Sequence, residues 1–215
     1  MHTLYPNLEW DEASTILEPY VILGQPPRGR EAGELSLIIG PDSRIRSFTV
    51  IYAGSRFGAR LQTGHHVMVR EDNEVGDDVS IGTSATLEYG NRIGSRVRIH
   101  SGCFLERATI EDDVFLGPNV VFTDDPHPIC PRYQDCKRAA HIEAFARIGA
   151  NTTLLPGVRI GRNSLIGAGS VVAHDIPAGM VAAGNPARVI KKIEELTCWP
   201  GFFERPYIWL EKEEG

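Results

Sequence analysis

No apolar run in the sequence approaches the ~20 residues needed to cross a bilayer, so no membrane span is expected. The opening segment Met1–Trp10 is polar and lacks the apolar stretch of a secretory leader, so a cytoplasmic location is expected. Cysteine is scarce. Cys103, Cys130, Cys136 and Cys198 are too few for a disulfide scaffold in a chain of 215 residues. Positive charge is in deficit as well: 22 Lys and Arg stand against 28 Asp and Glu. A net charge of −6 argues against nucleic acid or an anionic membrane as partner, because both reward a basic face. The hydrophobic share of 42% is ordinary for a chain that buries a core, and the length suits one domain.

The two common apolar periods, about 3.6 for an amphipathic helix and 2 for a strand, do not organise this chain. A period of six does. Reading every sixth residue from Ile39 gives Ile45, Ile51, Phe57, Thr63, Val69, Val75, Ile81, Leu87, Ile93, Ile99 and Leu105, all aliphatic or aromatic except Thr63. Gly often follows (Gly40, Gly58, Gly64, Gly76, Gly82, Gly94), and the fifth place of each hexad is usually small or β-branched. After a short step the beat resumes at Ile110, Leu116 and Phe122, breaks, and returns from Ile142 to Val172. This is the pattern of an all-β parallel β-helix of hexapeptide repeats. Three hexads make one triangular coil, and the chain holds material for roughly seven coils, each touching only its neighbours. Gly, and the asparagines Asn91, Asn119, Asn151 and Asn163, suit corners that need positive φ.

The organisation follows from where the beat stops. Residues 1–20 lie outside it and are expected to cap the open end of the coil stack. Residues 21–182 form the β-helix, interrupted at 123–141 by a loop with Pro126, Pro128 and Pro131. A long excursion inside a compact repeat points to function. Residues 183–215 hold a turn, a short helix expected at Val189–Leu196, and an aromatic tail from Cys198 to Leu210.

The run ARIGANTTLLPGVRIGRNSLIGAGSVVAHDIPAGMVAAGNPARVIKKI, residues 146–193, closely resembles the acetyl-CoA-binding end of hexapeptide acetyltransferases. IEDDVFLGPNVVFTDDPHP, residues 110–128, resembles the stretch leading into that family's active-site loop. The resemblance implies a left-handed prism, a homotrimer with active sites between chains, and acetyl-CoA as co-substrate. Within the superfamily the chain looks most like enzymes that N-acetylate nucleotide-linked amino sugars for surface polysaccharide. O-acetylation of a sugar, N-acylation of an amino-acid precursor and a non-enzymatic scaffold are the alternatives.

Candidate residues follow. Gly149, Ala150, Gly167 and Ala168 are small, so backbone can approach an extended pantetheine arm. Asn185 and Pro186 form the turn that precedes Arg188 and Lys191, cations suited to the 3′-phosphate or pyrophosphate. His127, in a His-Pro dipeptide like that of sugar and maltose O-acetyltransferases of this superfamily, is the candidate base. Asp124 or Asp125 could orient it or bind substrate, and Glu88, His100 and Glu106, which replace Gly in their hexads, are expected at the acceptor with His65. His127, Cys130, Cys136 and His141 are zinc-type residues, but their spacing departs from the usual knuckles and no metal is expected.

Overall fold

The computed structural model describes residues 1–208, so Trp209 and Leu210 of the expected tail lie outside the described residues. The chain winds a left-handed triangular prism with three parallel sheets, here faces I, II and III, of nine, eight and ten strands. It passes I to II to III and then climbs one coil. Face I runs from Thr3–Leu4 to Val171–Val172, and face II from Leu8–Trp10 to Arg159–Ile160. Face III runs from Ile16–Leu17 to the terminal hairpin. Register is strict: Met68 pairs with both Val50 and Thr86, and Val69 with Ile51 and Leu87.

The reason is the hexad. The second residue of each two-residue strand is the beat residue, and it points inward: Ile45, Ile51, Val69, Leu87 and Leu105 are all fully buried. Stacked one above another, they form a continuous apolar column in which every residue meets its counterparts in the coils above and below. Thr63 keeps the beat although it is polar, because its buried hydroxyl accepts the Arg46 N–H at 2.9 Å.

Three expectations change. Residues 1–20 are strands rather than a separate cap: Thr3–Leu4, Leu8–Trp10 and Ile16–Leu17 add one strand to each face, so the prism exceeds the seven coils counted from the beat. The helix expected at Val189–Leu196 is mostly strand. Ala187–Lys192 pairs antiparallel with Met180–Gly184, and only Ile193–Glu195 makes a single 3₁₀ turn. Asn119, Asn151 and Asn163 hold positive φ at corners, but Asn91 points inward, giving its Nδ2 to Asn73 Oδ1 (2.7 Å) and the Glu88 carbonyl (2.7 Å).

Candidate active site

The predicted residues fall on two different edges of the prism. On the III–I edge stand His65, His100, Gly149, Ala150, Gly167 and Ala168, one coil or a few apart, and the hairpin turn Gly184–Asn185–Pro186–Ala187 follows the last coil. On the I–II edge stand Glu88, Glu106 and the inserted loop with Asp124, Asp125 and His127. Face I separates the two sets. No single chain brings them together.

The III–I edge is made by close stacking. A Cβ on Gly149 would sit 2.4 Å from the Ala168 nitrogen, and one on Gly167 would sit 2.8 Å from Ala183 Cβ. Glycine is therefore required here by the coil above, whatever else the edge does. The next residue in each corner has an N–H that the coil-to-coil hydrogen bonds do not use. Among the described residues, no acceptor in the chain takes the N–H of His65, Thr83, Ser101, Ala150 or Ala168. Most of the equivalent N–H groups on the II–III edge are capped by side chains, Ala59 and Ser95 by Asp77 and Asp112 (both 2.8 Å) and Ala144 by Glu111 (3.0 Å), while that of Asp112 itself meets no acceptor among the described residues. A groove of about 420 Å³ follows the III–I edge along Gly64, His65, Thr83, His100 and Ser101. A wider one, about 1190 Å³, lies on face III among Arg98, Phe115, Arg147 and Tyr207 and holds none of the predicted site residues.

Arg188 and Lys191 share one side of the terminal hairpin. They sit opposite Ala183 and Val181, two residues apart on the partner strand, because the register shift between Val181 and Ala182 skips Ile190. Two cations three residues apart are thereby aligned. Toward the other end of the edge, the rings of Tyr20 and Phe48 stack at 5.1 Å, and those of Phe48 and His66 at 4.8 Å.

On the I–II edge, His127 is exposed at the loop's near end. Asp125 Oδ1 accepts the His127 backbone N–H at 2.9 Å, and the His127 carbonyl accepts Cys130 N–H at 3.1 Å, so a local turn fixes its backbone. Asp124 does not hold the imidazole. Its buried carboxylate lies 3.0 Å from Lys137 Nζ and 3.9 Å from Arg107 Nε. Its Oδ2 lacks hydrogen-bond alignment, so the contact with Lys137 is an ion pair rather than a directed bond. Glu106 also pairs with Lys137 (3.4 Å), and Glu88 with Arg70 (2.7 Å), so the carboxylates expected to meet an acceptor are already matched by cations. Burial, reinforced by the Asp124 charge, raises the Glu106 carboxyl above the ordinary range. Burial works to lower Lys137, but the Tyr89 hydroxyl and the two carboxylates hold it above its usual value.

Lys137 was absent from the sequence-derived set, yet it is the hub of this edge. Its signal in the sequence is its rarity: every other cation before residue 191 is arginine. His141, which follows the loop, donates or accepts with Glu111 (2.8 Å) at face II. Among the described residues, no three His, Cys, Asp or Glu side chains gather as a metal-holding group, and no helix is long and apolar enough to cross a membrane.

Residues 139–174 match the family described as bacterial transferase hexapeptide (six repeats). The galactoside O-acetyltransferase of Lactococcus lactis is 38% identical over 120 residues, covering 50% of this chain and 58% of that protein. The galactoside O-acetyltransferase of Escherichia coli is 29% identical over 168 residues, covering 72% of this chain and 81% of that protein. The crystal structure of the polySia specific acetyltransferase NeuO shares the fold at TM-score 0.54 and 21% identity, over 86% of this chain and 87% of that one. The matched repeats carry the Gly149 and Gly167 corners, and the same coil runs from residue 3 to the terminal hairpin; the chain is built of hexapeptide repeats and is similar to the hexapeptide-repeat acetyltransferases.

Proposed function

We propose that the protein transfers the acetyl group of acetyl-CoA to a hydroxyl of a sugar, in a threefold assembly whose sites lie between chains. One observation carries the reading: the open N–H column at Ala150 and Ala168, which the II–III edge does not share. An extended arm with amide carbonyls at intervals is the ligand such a column fits. Arg188 and Lys191, aligned beyond it, suit the phosphates of the same ligand.

The two edges meet only if a second copy supplies one of them. From the second strand of face I onward, the outward residues (Ile22, Val50, Met68, Thr86, Phe104, Val121, Thr153, Val171) include no charge and are half-buried even in one chain. Face II presents Arg56, Glu74, Arg92 and Arg159 at the equivalent positions. Gathering three copies with face I toward the axis buries the uncharged face and sets the I–II edge of one chain against the III–I edge of the next.

In that arrangement His127 takes the proton of the acceptor hydroxyl as its oxygen attacks the thioester carbonyl. Edge N–H groups receive the oxyanion. The carbon–sulfur bond then breaks, and the imidazolium returns its proton to the CoA sulfur. The hydroxyl is favoured over the amine because Glu88 and Glu106, which would attract an ammonium, are already paired. The second reading, a nucleotide-linked amino sugar, gains support from the Tyr20–Phe48–His66 ring stack, a surface on which a base can pack.

Thiol release from acetyl-CoA, measured against a panel of galactosides, glucosides and nucleotide-linked amino sugars, separates these readings. Turnover with hydroxyl acceptors that falls about 100-fold or more in His127→Ala is the expected result. Turnover confined to amino sugars, with His127→Ala at the wild-type rate, would replace it with the second reading.

A further inference from the structure

The inserted loop has almost no core of its own. None of residues 125–139 is buried, and its helical turn Tyr133–Cys136 buries nothing. Yet the side chain of Lys137, near the loop's return, is only 7% exposed. That single ammonium contacts four parts of the molecule. It lies 3.0 Å from Asp124 at the loop's exit and 3.4 Å from Glu106 in the preceding coil. It donates to the Tyr89 hydroxyl at 2.8 Å and sits 5.8 Å from the centre of the Tyr133 ring in the loop's own helical turn. Beside it, Arg138 N–H donates to the Asp124 carbonyl at 2.9 Å, so the neck of the loop is closed at two points.

We propose that Lys137 is a positioning residue: it clasps the neck of the inserted loop to the I–II edge and so fixes where His127 stands. The proposal rests on the reading of His127 as the base. An exposed ion pair would contribute little. This one is different, because Asp124 is 2% exposed and removing its nearest cation leaves a buried carboxylate to find water or a new place. His127 is tied to Asp124 through the short turn that Asp125 and Cys130 hydrogen-bond, so a displaced Asp124 moves the imidazole. A compact ammonium suits a cage of two carboxylates and a phenol, where the flat fork of the arginines used elsewhere along the prism would not.

The test uses Lys137→Met, which keeps a flexible chain of similar length against the two tyrosine rings and removes the charge. A misplaced base lowers kcat by about 10- to 100-fold. KM for acetyl-CoA should stay within about twofold, because the open N–H column and the cations lie on the other edge. The double variant His127→Ala/Lys137→Met should be no slower than His127→Ala alone, since the lysine acts through the histidine. Trypsin should cut after Arg132 faster in Lys137→Met than in wild type, a readout independent of catalysis. An unchanged kcat with unchanged cleavage overturns the clasp. Losses that multiply in the double variant overturn its action through His127. If His127→Ala alone keeps the wild-type rate, the base assignment falls, while cleavage after Arg132 still judges the clasp.

Discussion

The II–III and III–I edges are made of the same turn, yet they treat the same backbone group in opposite ways. On the II–III edge, side chains from neighbouring coils cap most of the corresponding N–H groups, Asp77 and Asp112 among them, and Arg60 and Arg96 pair with Asp78 and Asp113 to close the corner. On the III–I edge the corresponding places are held by Thr83, Ser101, Ala150 and Ala168, and the N–H groups stay open. The difference lies in one residue per hexad. A repeat protein can thus dedicate one edge to its own cohesion and another to a ligand without changing its backbone. The same division separates the faces, since face I is uncharged and face II is lined with arginine.

The largest effect should come from denying the edges their meeting. Phe104→Glu places a carboxylate in the middle of the uncharged face while leaving the buried beat untouched. We expect the assembly to fall to single chains in sedimentation velocity, acetyl transfer to vanish, and far-ultraviolet circular dichroism to stay as in wild type. A variant that stays assembled and active would show that face I is not the contact.

Next in size is a change that turns the open edge off. Ala150→Pro removes one outward N–H. The turn itself accepts proline there, because Pro118 occupies the same corner place one coil below. Losing one such hydrogen bond corresponds to about 0.5–1.5 kcal/mol, or roughly a 2- to 12-fold weaker acetyl-CoA complex by calorimetry. Unaltered affinity would sever the open column from the cofactor.

The fold was legible because the hexad writes one inward residue per strand, and Ile39 to Leu105 never lose phase. The N-terminal strands were not, because Thr3–Leu4, Leu8–Trp10 and Ile16–Leu17 are spaced irregularly and owe their pairing to the coil above. Ala187–Lys192 misled for the opposite reason. Its composition permits a helix, and only pairing with Met180–Gly184 makes it a strand. The glycine edge could be read since it repeats. The I–II edge could not be read in full: Asp124 and Lys137 are thirteen positions apart in a loop without period, and only the folded neck shows that one neutralises the other.

The smallest effect should come from making the same change on the closed edge. Ala59 occupies the place on the II–III edge that Ala150 holds on the III–I edge, and Pro41 fills it one coil below, so proline again fits the turn. Here the lost N–H is the one that Asp77 Oδ1 accepts at 2.8 Å. That carboxylate is half exposed, so water replaces most of what it loses, and the destabilisation should be about 1 kcal/mol or less by thermal unfolding. Acetyl-CoA affinity should not move. The pair of prolines therefore weighs one hydrogen bond in two settings. At Ala150 it should register in binding and leave stability alone, and at Ala59 it should register in stability and leave binding alone. Equal effects on acetyl-CoA affinity from both would mean that the open column is only a surface like any other.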